Sequence, residues 1–301
     1  MPSAPFPAPA TLTDDSATIL RFAADSFSEG IAVALVTLVG VRGGAARPLG
    51  SQMAVRSDGR YCGFVSGGCV EAAVAAEAMQ AIACGRDRQV DFGRDSPYFD
   101  IVLPCGGGIT LHIHLVRSSS PLVAVLEALE QRQPTGLRLD FAREDVTFLP
   151  HRVATGPSNA GFDVGYRPRT RLVIYGRALE LEATAKLARA TSYDVHAHPD
   201  CDAALAARLI DAATAVVLLY HDLDQELPAL RAALDAEPFY IGALGSSRTH
   251  QRRCQALIES GYREADIMRI KGPIGLFPKA RDAGSLAISV LADVAAARGE
   301  A

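Results

Sequence analysis

Two cysteines stand directly against paired glycines. Cys69 closes the run Ser66-Gly67-Gly68-Cys69 just ahead of an expected helix, and Cys105 precedes Gly106-Gly107-Gly108 just ahead of an expected strand. Glycine leaves a neighbouring thiol sterically open. A helix start adds amides and a dipole that favour an anion and would lower a thiol pKa. Cys69 and Cys105 are thus candidate ligands for soft metal–sulfur chemistry. The plainer alternative makes the glycines tight turns and the thiols small packed side chains. Cys62, Cys84, Cys201 and Cys254 lack such surroundings and read as packing residues. A third glycine-rich segment, residues 40–50, holds Gly43, Gly44 and Gly50 together with Arg42 and Arg47. Its glycines allow close backbone approach to a ligand, and its arginines suit a phosphate.

Histidines offer less. His112 with His114, and His196 with His198, are spaced i, i+2, so each pair shares one face of a strand. No third ligand is anchored near either pair by spacing, and both read as strand histidines rather than a metal site. His221-Asp222 closes an apolar strand, Gly245-Ser246 closes another, and His250 lies in the basic run 248–253. These positions fall where βα loops converge and are candidates for lining a crevice. The basic run reads equally well as a solvated helix face.

The elements that must position these residues have two textures. In the first 117 residues, a capped helix ending at Gly30 precedes a buried strand at 31–38. A hairpin follows around Ser57-Asp58-Gly59, then a helix at 70–84 and strands near 89–92 and 109–116. This is an α+β domain carrying the cysteine motifs. Residues 118–170 read as a connecting region with one helix at 122–130, weak strands around 137–141 and 146–149, and a boundary loop at 150–160. From residue 171 to 301 strands and helices alternate, which predicts a Rossmann-like parallel sheet with helices on both faces. The fold class expected for the whole chain is α/β. The Rossmann turn, Gly176-Arg177-Ala178-Leu179-Glu180-Leu181, keeps only the first glycine of the dinucleotide fingerprint. His198-Pro199-Asp200 places an acid slightly beyond the ribose position. An unmodified NAD site does not fit.

Composition excludes several classes. The chain of 301 residues carries a net charge of -4, which argues against nucleic acid as a partner. Its longest apolar run, 31–41, is too short to span a bilayer. The Pro- and Ala-rich residues 1–13 lack the regions of a secretory signal. Six scattered cysteines do not form a disulfide framework, and the expected compartment is the cytoplasm.

Several runs together carry a resemblance. They are Arg47-Pro48-Leu49-Gly50-Ser51-Gln52-Met53, Asp58-Gly59, Val65-Ser66-Gly67-Gly68-Cys69-Val70-Glu71 and Cys105-Gly106-Gly107. Tyr240 to Ser246 and Pro273-Ile274-Gly275-Leu276 complete the set. The chain thereby resembles the XdhC/CoxI family, accessory proteins of xanthine dehydrogenase and related molybdenum hydroxylases. The resemblance implies a maturation chaperone rather than a catalyst. Such a protein would bind the molybdenum cofactor (molybdopterin or its cytosine dinucleotide form), protect it and assist its sulfuration with a cysteine desulfurase-like donor. It would then insert the cofactor into a client molybdoenzyme of the xanthine dehydrogenase type, and a homodimer is the expected assembly. The implied cofactor-binding residues are Arg42, Arg47, Ser66, Gly67, Gly68, Cys69, Cys105, Gly106, Gly107, Gly176, His221, Gly245 and Ser246, with Cys69 and Cys105 as metal ligands. The chain departs from the family at Gly176 to Leu179, at Tyr220-His221-Asp222 and at Ser285, which bears on any nucleotide role of the second domain. Two other readings stay open: an NAD(P)-dependent oxidoreductase and a persulfide-carrying sulfurtransferase.

Overall fold

The computed structural model describes residues 6–93, 106–277 and 280–300. They form two compact units that meet in sequence between Pro168 and Arg169.

The first unit is built on a six-stranded sheet. In chain order its elements are β1 (Ala8–Thr11), α1 (Ser16–Ser28), β2 (Val33–Arg42), β3 (Gln52–Arg56), β4 (Arg60–Gly63), α2 (Glu71–Cys84), β5 (Arg88–Gly93) and β6 (Gly108–Leu115). The strands lie in the order β1-β4-β3-β2-β6-β5, antiparallel except for the parallel pair β1 and β4. The Pro- and Ala-rich N-terminal stretch thus contributes an edge strand that its composition did not suggest. Period-two alternation sends the side chains of β2 to opposite faces. Ala34, Val36 and Leu38 join Met53, Val55 and the α2 residues Val74, Ala75 and Ala78 in one core. Val33 and Leu35 face a second core with Ile19, Leu20 and Ala23 of α1.

The stretch expected as a connecting region adds α3 (Ser120–Glu130), β7 (Thr135–Asp140), β8 (Asp145–Leu149), β9 (Gly156–Ser158) and β10 (Gly161–Tyr166). These four strands form an antiparallel sheet in the order β8-β7-β10-β9. Leu122, Val125, Leu137, Leu139, Phe162 and Val164 pack in the same core as Ile19 and Leu20, so residues 118–168 belong to the first unit rather than bridging two others. Apolar burial in that core, not loop composition, sets the boundary.

The second unit contains β11 (Arg171–Gly176), α4 (Ala178–Arg189), β12 (Asp194–His198), α5 (Ala203–Leu209), β13 (Thr214–Leu219), α6 (Leu223–Ala236) and β14 (Tyr240–Ala243). It closes with α7 (Ser247–Glu259), α8 (Glu264–Ile267), β15 (Ile270–Lys271) and α9 (Ala283–Glu300). All five strands are parallel, in the order β12-β11-β13-β14-β15. One face packs Val173, Val216, Leu218 and Ile241 against Ala206, Leu230 and Leu257 of α5, α6 and α7. The other packs Leu172, Ile174, Val217 and Leu219 against Ala185 and Ala188 of α4 and Val290 and Val294 of α9. This is the Rossmann-like sheet with helices on both faces that the βα alternation predicts. Among the described residues no helix is long and apolar enough to cross a membrane.

Candidate functional site

The first unit brings the glycine-rich segments together. The chain leaves β2 at Arg42 and returns to β6 at Gly108, and these two residues face each other in the sheet register. Beyond them the loops touch backbone to backbone. A Cβ on Gly107 would fall on the carbonyl oxygens of Gly44 and Arg42, so only glycine fits there. Gly43 is in ordinary contact with Gly107, with 3.5 Å between its Cβ position and the Gly107 Cα. On the other side, the Gly67 Cβ position lies 3.6 Å from the Ala46 Cβ, which sets the 66–69 loop beside the first. Gly107 therefore joins the cluster; Gly106 precedes it with open space around it, and Cys105 lies outside the described residues.

Cys69 is an exposed free thiol at the tip of its loop, and the loop owes its shape to Glu71. The Glu71 side chain is buried, 2 % exposed, at the first position of α2. Its carboxylate accepts from the Ser66 backbone N–H at 2.8 Å, from Ser66 Oγ at 2.9 Å and from the Val70 N–H at 3.2 Å. The sequence suggested that amides at this helix start would receive an external anion. Instead the chain's own carboxylate takes the Ser66 and Val70 amides and sits at the positive end of the helix, where a negative charge is stabilised. Ser66 Oγ lies 3.5 Å from the Cys69 sulfur. Since the hydroxyl has one proton and the carboxylate can only accept, Ser66 donates to Glu71 and the thiol donates to Ser66. Glu71 is the residue that reading by motif undervalued, because its role depends on folding back five residues.

The two arginines already have carboxylate partners. Arg42 Nη1 donates to Asp91 Oδ1 at 2.9 Å and to Thr110 Oγ1 at 3.0 Å, and Thr110 donates to the same Asp91 oxygen at 2.5 Å. The Thr110 hydroxyl lowers the Asp91 pKa, burial opposes, and Arg42 adds to the lowering. Arg47 pairs with Asp14 at 3.2 Å, and among the described residues its buried Nε has no partner. A phosphate at either arginine would compete with a carboxylate that is 45% (Asp91) or 73% (Asp14) exposed.

The second unit has its own cavity, a crevice of about 710 Å³ at the carboxyl edge of the parallel sheet. It opens where the strand order reverses direction between β11 and β13, the usual ligand position in such sheets. Leu179, Leu244, Ile274, Phe277 and Leu286 give it apolar walls. His221, Gly245, Ser246, Arg281 and Asp282 give it a polar rim. His221 Nε2 stands 3.5 Å from Glu180 Oε1, linking the turns after β13 and β11. Buried polar groups set the walls. Arg253, fully buried, pairs with Glu226 and donates to the Leu244 carbonyl at 2.7 Å, fixing the turn into α7. Asp293 of α9 accepts from Tyr240 Oη at 2.7 Å, from the Gly275 N–H at 3.0 Å and from Lys271, which holds the 272–277 wall to the sheet.

The chain matches the family model of the XdhC and CoxI family over residues 27–93 and that of the XdhC Rossmann domain over residues 172–294. It is 58% identical to the molybdenum cofactor insertion chaperone PaoD of Escherichia coli over 292 residues, 97% of this chain and 92% of that one. This chain belongs to the XdhC and CoxI family. A more distant relative is the uncharacterized protein YqeB of Escherichia coli, 26% identical over 87% of this chain and 42% of its own length. A crystal structure described as a xanthine dehydrogenase from Bacillus halodurans shares the fold, with a TM-score of 0.70 at 19% identity over 93% of this chain and 96% of that one.

In this XdhC and CoxI family member the expected Rossmann residues do not all reach the crevice. His221, Gly245 and Ser246 line it, and Gly176 does not. A Cβ on Gly176 would lie 2.8 Å from the Leu219 Cβ, so that glycine serves the packing of β11 on β13. Arg177 pairs with Asp200 at 2.6 Å across the ends of β11 and β12. That ion pair engages the acid nearest the position where dinucleotide folds hold a ribose. The basic helix α7 is not simply a solvated face, because Arg253 points inward. His250 packs beside Arg253, 3.2 Å away, and is not among the crevice residues.

Proposed function

We propose that this chain is a molybdenum cofactor insertion chaperone, whose cargo is the molybdenum–pterin cofactor. The observation that carries the reading is the 58% identity to PaoD over nearly the whole of both chains. The geometry supports it with two features suited to such cargo. The exposed Cys69, on a loop shaped by Glu71 that meets the 40–50 segment at Ala46, offers soft sulfur chemistry; Gly106, Gly107 and Cys105, the last as a second metal ligand, complete the proposed site. Arg42 and Arg47, with Ser66, Gly67 and Gly68, would meet anionic groups of the pterin by exchanging their carboxylate partners. The crevice of the second unit, with His221, Gly245 and Ser246 on its rim, has the size of a pocket for a drug-sized ligand, about 300–1,000 Å³.

The finer assignments belong to the same proposal. The client is a molybdoenzyme of the xanthine dehydrogenase type, and a cysteine desulfurase-like donor supplies sulfur while the cofactor is held. The cargo is molybdopterin or its cytosine dinucleotide form. The chaperone works in the cytoplasm as a homodimer. The test is anaerobic reconstitution. Purified chain is loaded with cofactor and separated by gel filtration, the retained pterin is measured by fluorescence after oxidation, and the loaded protein is mixed with cofactor-free client. Retention at about one pterin per chain and faster recovery of client activity than free cofactor gives are expected. No retained pterin and no gain in recovery would refute the proposal. Transfer of sulfur from the chain without any bound pterin would instead favour the sulfurtransferase reading.

A further inference from the structure

The i, i+2 histidine pair of β6 has a third partner that spacing in the sequence does not show. The turn between α2 and β5 carries Asp87, and the antiparallel pairing of β5 with β6 sets Gln89 opposite His112. That register delivers the Asp87 carboxylate to both imidazoles. Asp87 Oδ2 lies 2.6 Å from His114 Nδ1 and 3.7 Å from His112 Nε2. One ligand atom from each of the three residues falls within 4.8 Å of the others. All three side chains are buried, with Asp87 3 %, His112 4 % and His114 7 % exposed.

Two details distinguish this cluster from an ordinary buried ion pair. First, among the described residues His112 makes no hydrogen bond. Its Nδ1 is buried without a partner, and its Nε2 stands beyond hydrogen-bonding reach of the carboxylate. A buried imidazole nitrogen left without a hydrogen-bond partner is costly in a core. Its ring is held in place by Phe141, with centroids 4.3 Å apart, so it cannot turn outward to water without losing that contact. Second, Asp87 is divided by function. Oδ1 accepts from the Leu115 N–H at 3.0 Å and from Arg117 Nη1 at 2.7 Å, which leaves Oδ2 for the histidines. Outer hydrogen bonds that orient a carboxylate in this way are the usual support of a metal ligand. Arg117 is itself shared with Glu144 at 2.5 Å, so two carboxylates face one guanidinium, with the exposed Arg86 3.7 Å from Glu144 at the outer edge.

We propose that Asp87, His112 and His114 bind one divalent first-row transition ion, with zinc as the probe. Two imidazoles and one carboxylate suit such an ion better than calcium or magnesium, which take oxygen ligands. Zinc bonds of about 2.0–2.2 Å in tetrahedral geometry place ligand atoms about 3.3 Å apart. The His114–Asp87 contact opens, and the His112–Asp87 contact closes, by less than 1 Å each to reach that spacing. The ion replaces the proton between His114 Nδ1 and Asp87 Oδ2, and His114 keeps its remaining proton on Nε2. Its effect is a clip joining the α2–β5 turn to β6.

The experiment uses the full chain with Cys69→Ser and Cys105→Ser, so that no zinc is held by those sulfurs. After treatment with chelator, zinc is titrated calorimetrically near neutral pH, and cobalt(II) is added to a second sample. One equivalent of zinc, a rise in melting temperature and cobalt bands without thiolate charge transfer are expected. His112→Phe, which keeps the stacking on Phe141, weakens binding at least about a hundredfold. Asp87→Asn, which keeps an acceptor for the Leu115 N–H, does the same and covers the case in which His112→Phe does not fold. No zinc bound by the folded Cys69→Ser, Cys105→Ser chain, or an affinity in both ligand variants equal to its own, would overturn the proposal.

Discussion

Glu71 gives the sharpest test of how this fold presents Cys69. Replacing it by alanine removes an acceptor from three donors at once: the Ser66 N–H, the Ser66 hydroxyl and the Val70 N–H. Each hydrogen bond to a charged group contributes about 1.5–3 kcal/mol, and bonds in one network are not additive. The Ser66 hydroxyl can turn to water through the exposed loop tip at Gly67 to Cys69, so about 3–5 kcal/mol is the expected loss in Glu71→Ala. A domain the size of this first unit loses about 2–4 °C per kcal/mol, which puts the fall in melting temperature at about 6–20 °C. Glu71→Gln keeps one oxygen for Ser66 but turns an amide N–H toward another donor, and should lose about 1–3 kcal/mol. Thermal denaturation by circular dichroism ranks the three proteins, and hydrogen exchange at Ser66 and Val70 locates the change. The α2 helix survives in both variants, because Val74, Ala75 and Ala78 remain in the core. Cofactor retention falls in the same order as loop order. If Glu71→Ala melts within about 1 kcal/mol of the parent and the Val70 amide keeps its protection, the carboxylate does not organise the loop.

Other expected outcomes follow from buried groups. Glu226→Gln leaves the fully buried Arg253 without its anion and should cost about 3–5 kcal/mol, read by urea denaturation; a loss below about 1 kcal/mol would contradict the pairing. Burial, with Asp15 adding, pushes the Cys62 thiol up to about 11, so it stays protonated in the fold after it would ionise in the unfolded chain. Its contribution is complete below the ordinary thiol value of about 8.5 and is lost, by up to about 3 kcal/mol, as pH rises from there toward the folded value; Cys62→Ala should flatten that decline. At mildly alkaline pH an alkylating agent should label the exposed Cys69 and Cys84 and spare Cys62 until denaturant is added, and equal labelling would show that the first core is open. Burial and the neighbouring Arg253 lower the His250 pKa, so its neutral form stabilises the second unit above the ordinary value of about 6.5. Stability from this group falls as pH drops below that value, and His250→Asn should remove the slope between about pH 6.5 and 5.

Much of the architecture was legible from one sequence, for reasons of local physics. The βα alternation after residue 171 reads as a parallel sheet because strands buried on both faces must be continuously apolar, as Thr214–Leu219 is. Gly85 ends α2 in the left-handed conformation, and the Ser57-Asp58-Gly59 turn joins β3 to β4, both as residue type requires. The glycine-flanked cysteines were also visible, since glycine pairs in such positions stand out in any context. The boundary between units was harder to read. The strands at 156–166 carry three glycines, which weaken the strand signal although Phe162, Val164 and Tyr166 alternate toward the core, and pairing with β7 over the α1–α3 core makes them a sheet.

What the sequence determined by itself was whatever depends on neighbours a few residues apart: periodicity, caps, turns, and the motifs that mark this family. Tertiary structure alone decided which partners meet across long separations. Asp87 reaches His112 and His114 only because β5 and β6 pair in one register, and a shift of one residue would turn both imidazoles to the opposite face. Arg42 finds Asp91, and Arg253 finds Glu226, in the same way. Charges and hydrogen bonds act over a few ångströms in space, while the spacing that brings these groups together is set by strand register and packing, which no local pattern encodes.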